Sequence, residues 1–234
     1  MIQYGIIGAM DEEVEILQKE MEVHLEKEIA GLHFYQGVLE KKSIVLVKSG
    51  IGKVNAAVCT QILISEFDVE KIINTGVAGA LGEDLNILDI VVSTELQQYD
   101  VDAREFGYKL GEIPRMVTSI FPAEPFLVKK AYAKGIKRFG KEGVKKGKIV
   151  SGDTFVSSTT MKQHLKKEFA AMCTEMEGAS IAQACYMNQV PFVVIRTMSD
   201  KADGSANDNY KTFVMKAAFR SKELVKDILK EEDF

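Results

Sequence analysis

The feature that most constrains this chain is the recurrence of short, unbroken apolar runs, separated from one another by stretches with helical periodicity. The runs are Tyr4 to Ile7, Ser43 to Val47, Lys71 to Asn74, Ile90 to Ser93, Lys148 to Val150 and Phe192 to Met198. A strand with water on one face alternates polar and apolar residues, whereas a run without alternation needs cover on both faces. Asp11 to Met21, Val54 to Phe67, Ala123 to Phe139, Glu177 to Asn188 and Asn207 to Glu231 have the helical spacing to supply that cover. Strands and helices in alternation predict an α/β fold, with α/β/α layers around a central mixed, largely parallel sheet. Leu32 to Leu39 and Lys42 to Val47, joined by a short polar turn, add an antiparallel hairpin.

No repeat, low-complexity tract or Pro/Gly/Ser-rich linker interrupts this pattern, so residues 1–234 are expected to form one domain. The last helix places Phe213, Ala217, Leu224 and Ile228 on one side with lysines opposite, which suits a lid over the sheet. A net charge of -4, from 30 basic and 34 acidic residues mixed along the chain, argues against nucleic acid as a partner. The longest apolar stretches, such as Phe192 to Ile195, fall far short of the ~20 residues that cross a bilayer, so no membrane partner is expected. The first residues lead directly into a strand without the pattern of a signal peptide. Cys59, Cys173 and Cys185 form no CxxC pair, which suits free thiols and a cytoplasmic location. His24, His33 and His164 are scattered, so no metal site is visible.

In open α/β sheets ligands bind beyond the carboxyl ends of the strands. Those ends carry Gly8-Ala9-Met10-Asp11-Glu12-Glu13, Ser49-Gly50-Ile51-Gly52-Lys53, Gly76-Val77-Ala78-Gly79-Ala80, Ser151-Gly152-Asp153-Thr154-Phe155 and Ser199-Asp200. On a helix turning about 100° per residue, Met10, Val14, Leu17 and Met21 share a stripe, and Glu13 lies about 60° from its centre. Glu13 is therefore the acid of its triplet best placed to turn inward. All three acids could equally serve the positive end of the helix dipole. Glu175 and Glu177 precede another helix, where first-turn acids are also common. Arg196 interrupts a core strand and needs a carboxylate or another hydrogen-bonding partner, while Asp200 at the strand's end could be a cap.

Two nucleotide-binding motifs fail. Ser49-Gly50-Ile51-Gly52-Lys53-Val54 has Val54 where a P-loop needs Ser or Thr for magnesium, and Val47 where it needs glycine. Neither Gly50-Ile51-Gly52 nor Gly76-Val77-Ala78-Gly79 extends to GxGxxG, which leaves a dinucleotide cofactor without support.

Taken together, Gly5-Ile6-Ile7-Gly8-Ala9-Met10-Asp11-Glu12-Glu13-Val14, Ser49-Gly50-Ile51-Gly52-Lys53-Val54-Asn55-Ala56-Ala57, Ile73-Asn74-Thr75-Gly76, Ser151-Gly152-Asp153, Glu175-Met176-Glu177 and Ser199-Asp200 closely resemble the bacterial 5′-methylthioadenosine/S-adenosylhomocysteine nucleosidases. The resemblance implies a nucleoside phosphorylase-like fold, a homodimer and hydrolysis of an adenine nucleoside thioether without a cofactor. It implies that Glu13 activates water, Asp200 donates a proton toward adenine N7, Glu177 holds the ribose hydroxyls and Arg196 orients the water or its base. Met176 would pack on the sugar, Phe155 would stack on adenine, the main chain of Val156 would read its edge, and Tyr210 would close over the purine. Met10, Ile51, Ala78, Gly79, Glu175 and Ser199 would complete the contacts, with Phe106 and Pro114 near the alkylthio pocket of the neighbouring subunit.

The chemistry suits such a set. N-glycoside cleavage builds positive charge on the ribose while electrons flow into the departing base, so a carboxylate beside the sugar and a proton at N7 both help. With an ordinary pKa of about 3.9, Asp200 must be held protonated by burial or receive its proton as the bond breaks. Family members often carry Ser at the position of Val77, and without that hydroxyl water positioning falls more to Glu13 and Arg196. The rival readings are a phosphorylase, disfavoured by the acids around Asp11 to Glu13, and an adenosine-binding module without turnover, disfavoured by the presence of all three acids. Preference among methylthioadenosine, S-adenosylhomocysteine, 5′-deoxyadenosine and aminodeoxyfutalosine stays open.

Overall fold

The computed structural model describes residues 2–230. Its first half runs β1 (Tyr4–Gly8), α1 (Asp11–Glu20), β2 (Glu22–Ile29), β3 (Leu32–Leu39), β4 (Lys42–Lys48), α2 (Lys53–Phe67), β5 (Ile72–Ala80) and β6 (Ile90–Gln98). There follow β7 (Ile120–Pro122), α3 (Pro125–Phe139), β8 (Val144–Ser151), α4 (Thr159–Phe169), β9 (Cys173–Glu175), α5 (Gly178–Asn188), β10 (Phe192–Asp200) and α6 (Ala206–Leu229). Each expected apolar run lies within a strand, save that Lys71 stands just before β5. The expected hairpin is β3 with β4.

The strands form one mixed sheet of ten. Its central ladders are parallel, β4 to β1 to β5 to β10 and β6 to β8 to β9. Antiparallel pairs attach β2, β3 and β7 and join β10 to β6. Because β9 also pairs with β5, strands β5, β10, β6, β8 and β9 close into a ring.

One edge of β5 is shared. It pairs with β1 as far as Asn74, and with β9 from Gly79 onward. Between those positions that edge has no strand beside it, so its main-chain groups need other partners.

The helices cover the sheet by burying apolar side chains against it. Helix α1 buries Val14 and Leu17, and burial of such a side chain contributes about 1.5–3 kcal/mol. Helix α3 begins at Pro125 rather than Ala123, since Pro suits the first helical position and Glu124 caps the turn by accepting from the Phe126 amide. Helices α1 and α3 pack on α6, whereas α2 packs on α5.

Three features depart from the sequence reading. Strand β2 is almost wholly exposed and charged, so it lacks an apolar pattern. Helix α4 buries only Leu165 and Phe169, too few for a clear period. On α6, Lys222 is buried rather than facing water, held by Glu20 at 3.0 Å and Glu223 at 2.7 Å, and Glu231 lies outside the described residues. Among the described residues no helix is long and apolar enough to cross a membrane.

Candidate active site

Where β1 ends, Gly8 and Ala9 lead into Met10, the cap residue of α1, and Glu13 is the third residue of that helix. Its carboxylate turns back into the protein as the helical phase predicts. Oε2 accepts from the amides of Ala9 at 2.6 Å and Met10 at 3.1 Å. Oε1 accepts from the Val77 amide at 3.1 Å. Val77 lies in the uncovered stretch of β5, so the carboxylate satisfies the edge that no strand reaches. Asp11 instead faces water and pairs with Lys48 at 2.7 Å. Burial pushes the Glu13 pKa up, opposed by Arg196 and the three amides.

Arg196 is fully buried in β10, beneath the site rather than on its wall. It donates to Glu175 Oε2, to Asn74 Oδ1 at 2.6 Å and to its neighbour's carbonyl at 3.1 Å. This is the carboxylate partner that a charge in a core strand demands. Burial pulls its pKa down, but Glu175, Glu177 and Glu13 outweigh that and hold it up. Glu175 also accepts from Ser151 Oγ and from the amides of Glu177 at 3.1 Å and Gly178 at 2.8 Å.

Glu177, at the start of α5, accepts from the Gly52 amide at 2.9 Å and lies 3.9 Å from Arg196. Burial, followed by the charge of Glu175, pushes its pKa up to about 8, against the pull of Arg196. Asp200, at the end of β10, accepts from the Ala202 amide at 2.8 Å and the Ser199 hydroxyl at 2.9 Å. Its pKa is raised, burial being the main cause.

Glu13, Glu177 and Asp200 share the wall of one cavity of about 410 Å³. Met10, Ile51, Ala78, Gly79, Phe155, Glu175, Met176, Ser199 and Tyr210 line it as well. Val156 is buried in a small adjoining recess with Phe155 and Asp200. The rings of Phe155 and Tyr210 meet edge to face at 5.7 Å, and the Tyr210 hydroxyl reaches Met10 Sδ at 3.1 Å. Phe106 and Pro114 do not line this cavity, and Phe106 is 83% exposed. No Lys or Arg is among its lining residues.

Residues 3–230 match the family model of the phosphorylase superfamily. A Staphylococcus aureus 5′-methylthioadenosine/S-adenosylhomocysteine nucleosidase is 42% identical over 228 residues, 97% of this chain and 99% of its own. The chain belongs to the phosphorylase superfamily, in its 5′-methylthioadenosine/S-adenosylhomocysteine nucleosidase family. Among solved nucleosidases of the family, that of Neisseria meningitidis in complex with methylthio-immucillin-A aligns with a TM-score of 0.93 at 39% identity. The alignment covers 98% of this chain and 99% of that one. A futalosine hydrolase of Helicobacter pylori aligns with a TM-score of 0.92 at 37% identity, over 97% of each chain.

Further residues support this site through contacts with its charged groups or along its wall. Asn74 donates to the Ile7 carbonyl at 3.0 Å and accepts from Arg196, tying β1 to β10 across β5. Ser151 links Glu175 to the Ala179 amide at 2.7 Å. Asn207 and Thr174 line the cavity. The signal for Asn74 was available, since a lone amide in a core strand raises the same question as Arg196. The other positions carry no such mark.

Proposed function

We propose that this chain hydrolyses the N-glycosidic bond of 5′-methylthioadenosine and S-adenosylhomocysteine, and of 5′-deoxyadenosine, releasing adenine and the 5-substituted ribose. The observation that carries this reading is the convergence of Glu13, Glu177 and Asp200 on a cavity whose lining residues include no Lys or Arg. A phosphorylase must bind a phosphate dianion, for which basic side chains and hydroxyls are the usual donors. Water is the nucleophile that suits an acidic wall.

Glu13 is the base that activates that water. Its two oxygens are oriented by three amides, and burial raises its proton affinity. Arg196 acts on it through space and anchors Glu175 below. Glu177 holds the ribose hydroxyls and, in its ionised form, stabilises positive charge on the sugar, with Met176 against the ring. Asp200 supplies the proton toward adenine N7, aided by burial that favours its protonated form. Phe155 and Tyr210 enclose the base, whose edge is read by the main chain of Val156.

The chain acts as one cytoplasmic domain in methionine salvage and as a homodimer, with Phe106 and Pro114 serving the neighbouring site. Support for the homodimer comes from apolar surface left exposed, Val54 and Val58 one turn apart on α2 and Tyr186 and Met187 on α5, which packs against α2. The function is tested by incubation with methylthioadenosine in the presence and absence of phosphate. Free methylthioribose without phosphate is the expected product, and strict dependence on phosphate would overturn hydrolysis.

A further inference from the structure

The turn that follows Asp200 is held in a form that its own residues do not favour. Ala202 is fully buried with φ 52°, in the left-handed region where a side chain is disfavoured. The amide of the same residue donates to Asp200 Oδ1, 2.8 Å away. A turn of this kind persists only where its surroundings over-determine it. Ala202 itself packs among Leu81, Tyr99, Val150 and Val156, and the polar restraint on the turn comes from α4. Lys162 reaches out of that helix, its ammonium donating to the Lys201 carbonyl at 2.6 Å and lying 3.7 Å from Asp203 Oδ2. Asp203 in turn accepts from the amide and hydroxyl of Ser205, at 3.0 and 2.7 Å, which fixes the next step of the chain. The side chain of Lys162 is mostly shielded from water, so its charge is weakly screened.

We propose that Lys162 is a positioning residue for the proton donor, clamping the turn from Asp200 to Asp203 so that the Asp200 carboxyl is held against the Ala202 amide. The inference rests on Asp200 being the acid of the proposed reaction. The charged and titratable groups facing Asp200 come from four elements: Lys162 of α4, Asp203 of the connection, Cys173 of β9 and Tyr210 of α6. Lys201, next to Asp200 in sequence, sends its ammonium away to the Leu85 carbonyl. Lys162 is thus the cation that bears on Asp200, opposing burial and Asp203, which both favour its protonated form.

The clamp makes a double demand that a mere support for α4 would not. Without the ammonium, the turn loses one of its anchors and the acid loses part of its orientation. The protonated form of Asp200 also becomes easier to keep, because a neighbouring positive charge has gone.

The test uses the full chain as wild type, Lys162→Met, Lys162→Arg and Asp203→Asn, with steady-state kinetics on methylthioadenosine across pH and a thermal melt of each. For Lys162→Met we expect kcat to fall about tenfold, part of the roughly 10²- to 10⁴-fold that a positioned acid supplies, with KM little changed. The alkaline limb of kcat/KM should move to higher pH, and Lys162→Arg should restore both values. Asp203→Asn should move that limb to lower pH, which keeps the proposal open to refutation even if Lys162→Met does not fold. Wild-type kcat and an unmoved limb in Lys162→Met, or no movement in Asp203→Asn, would overturn the clamp. A wild-type protein that releases no adenine overturns the functional reading instead. In that event the Asp200 carboxyl is titrated by carbon-13 NMR, where a higher pKa in Lys162→Met supports the clamp and an unchanged one refutes it.

Discussion

The Gly52 amide donates to Glu177 Oε1 at 2.9 Å, joining the start of α2 to the start of α5 across 125 positions of sequence. The contact requires an unusual backbone, since Gly52 has φ 99°. A Cβ at that position would also stand 3.2 Å from Asp153 Oδ1, the atom that receives the Lys53 amide at 2.8 Å. The carboxylate assigned to the ribose is therefore oriented by a glycine that no other residue replaces without strain.

Gly52→Ala should for this reason weaken binding more than it slows chemistry. We expect KM for methylthioadenosine to rise about tenfold, the equivalent of one hydrogen bond to a charged group, with a smaller fall in kcat. Steady-state kinetics with a folded variant would show it, and an unchanged KM would remove the Gly52 contact from substrate binding.

Gly76 sits where the proposed base, Glu13, and the buried cation approach the same backbone. A Cβ there would come within 2.6 Å of Glu13 Oε1 and 3.2 Å of Arg196 Nη1. Gly76→Ala should displace Glu13 and lower kcat by up to about 10²-fold, the cost of misplacing a reacting group by about an ångström. If the crystal structure of the variant shows Glu13 unmoved and kcat is retained, the stated geometry of the base is wrong.

Asp200→Asn removes the proposed proton donor while keeping the shape of the side chain. Adenine release should fall by at least about 10²-fold, with the far-ultraviolet spectrum of the wild type preserved. Release at the wild-type rate would take Asp200 out of the mechanism.

The raised pKa of Glu177 has a thermodynamic consequence. Its value rises from an ordinary 4.5 to about 8, so between those limits the folded chain binds more protons than the unfolded one. The stability this contributes is fully present below the lower limit and is lost as pH climbs through the upper one. Glu177→Gln cannot titrate. Its melting temperature relative to wild type should therefore increase as pH is raised from about 5 to about 8. A constant difference over that range would contradict the buried, charge-opposed setting of Glu177.

Much of the architecture could be read from the chain, because fully covered strands leave unbroken apolar runs and amphipathic helices leave a phase. That same phase singled out Glu13 over Asp11 and Glu12, and a cation in a core strand called for a carboxylate or another hydrogen-bonding partner, which the fold supplies as Glu175 and Asn74. What stayed hidden depends on neighbours remote in sequence. Strand β9 is three residues long, too short for any period, yet it takes over the edge of β5 that β1 leaves. Asn74 and Ser151 stand within the motifs, but which charged group each serves emerges only when β5 lies beside β10 and β8 beside β9. The exposure of Phe106 likewise follows from a loop whose place no local pattern dictates.

The uncovered stretch of β5 between Asn74 and Gly79 also bears on how this pocket could be inhibited. Its Val77 amide already serves a side chain rather than a strand, and Ala78 and Gly79 line the cavity beside it. A ligand anchored on main-chain groups there would be difficult to evade by point mutation, since substitution exchanges side chains and leaves the peptide groups in place. Resistance would have to arise by moving the strand itself, at the expense of the contacts that hold Glu13.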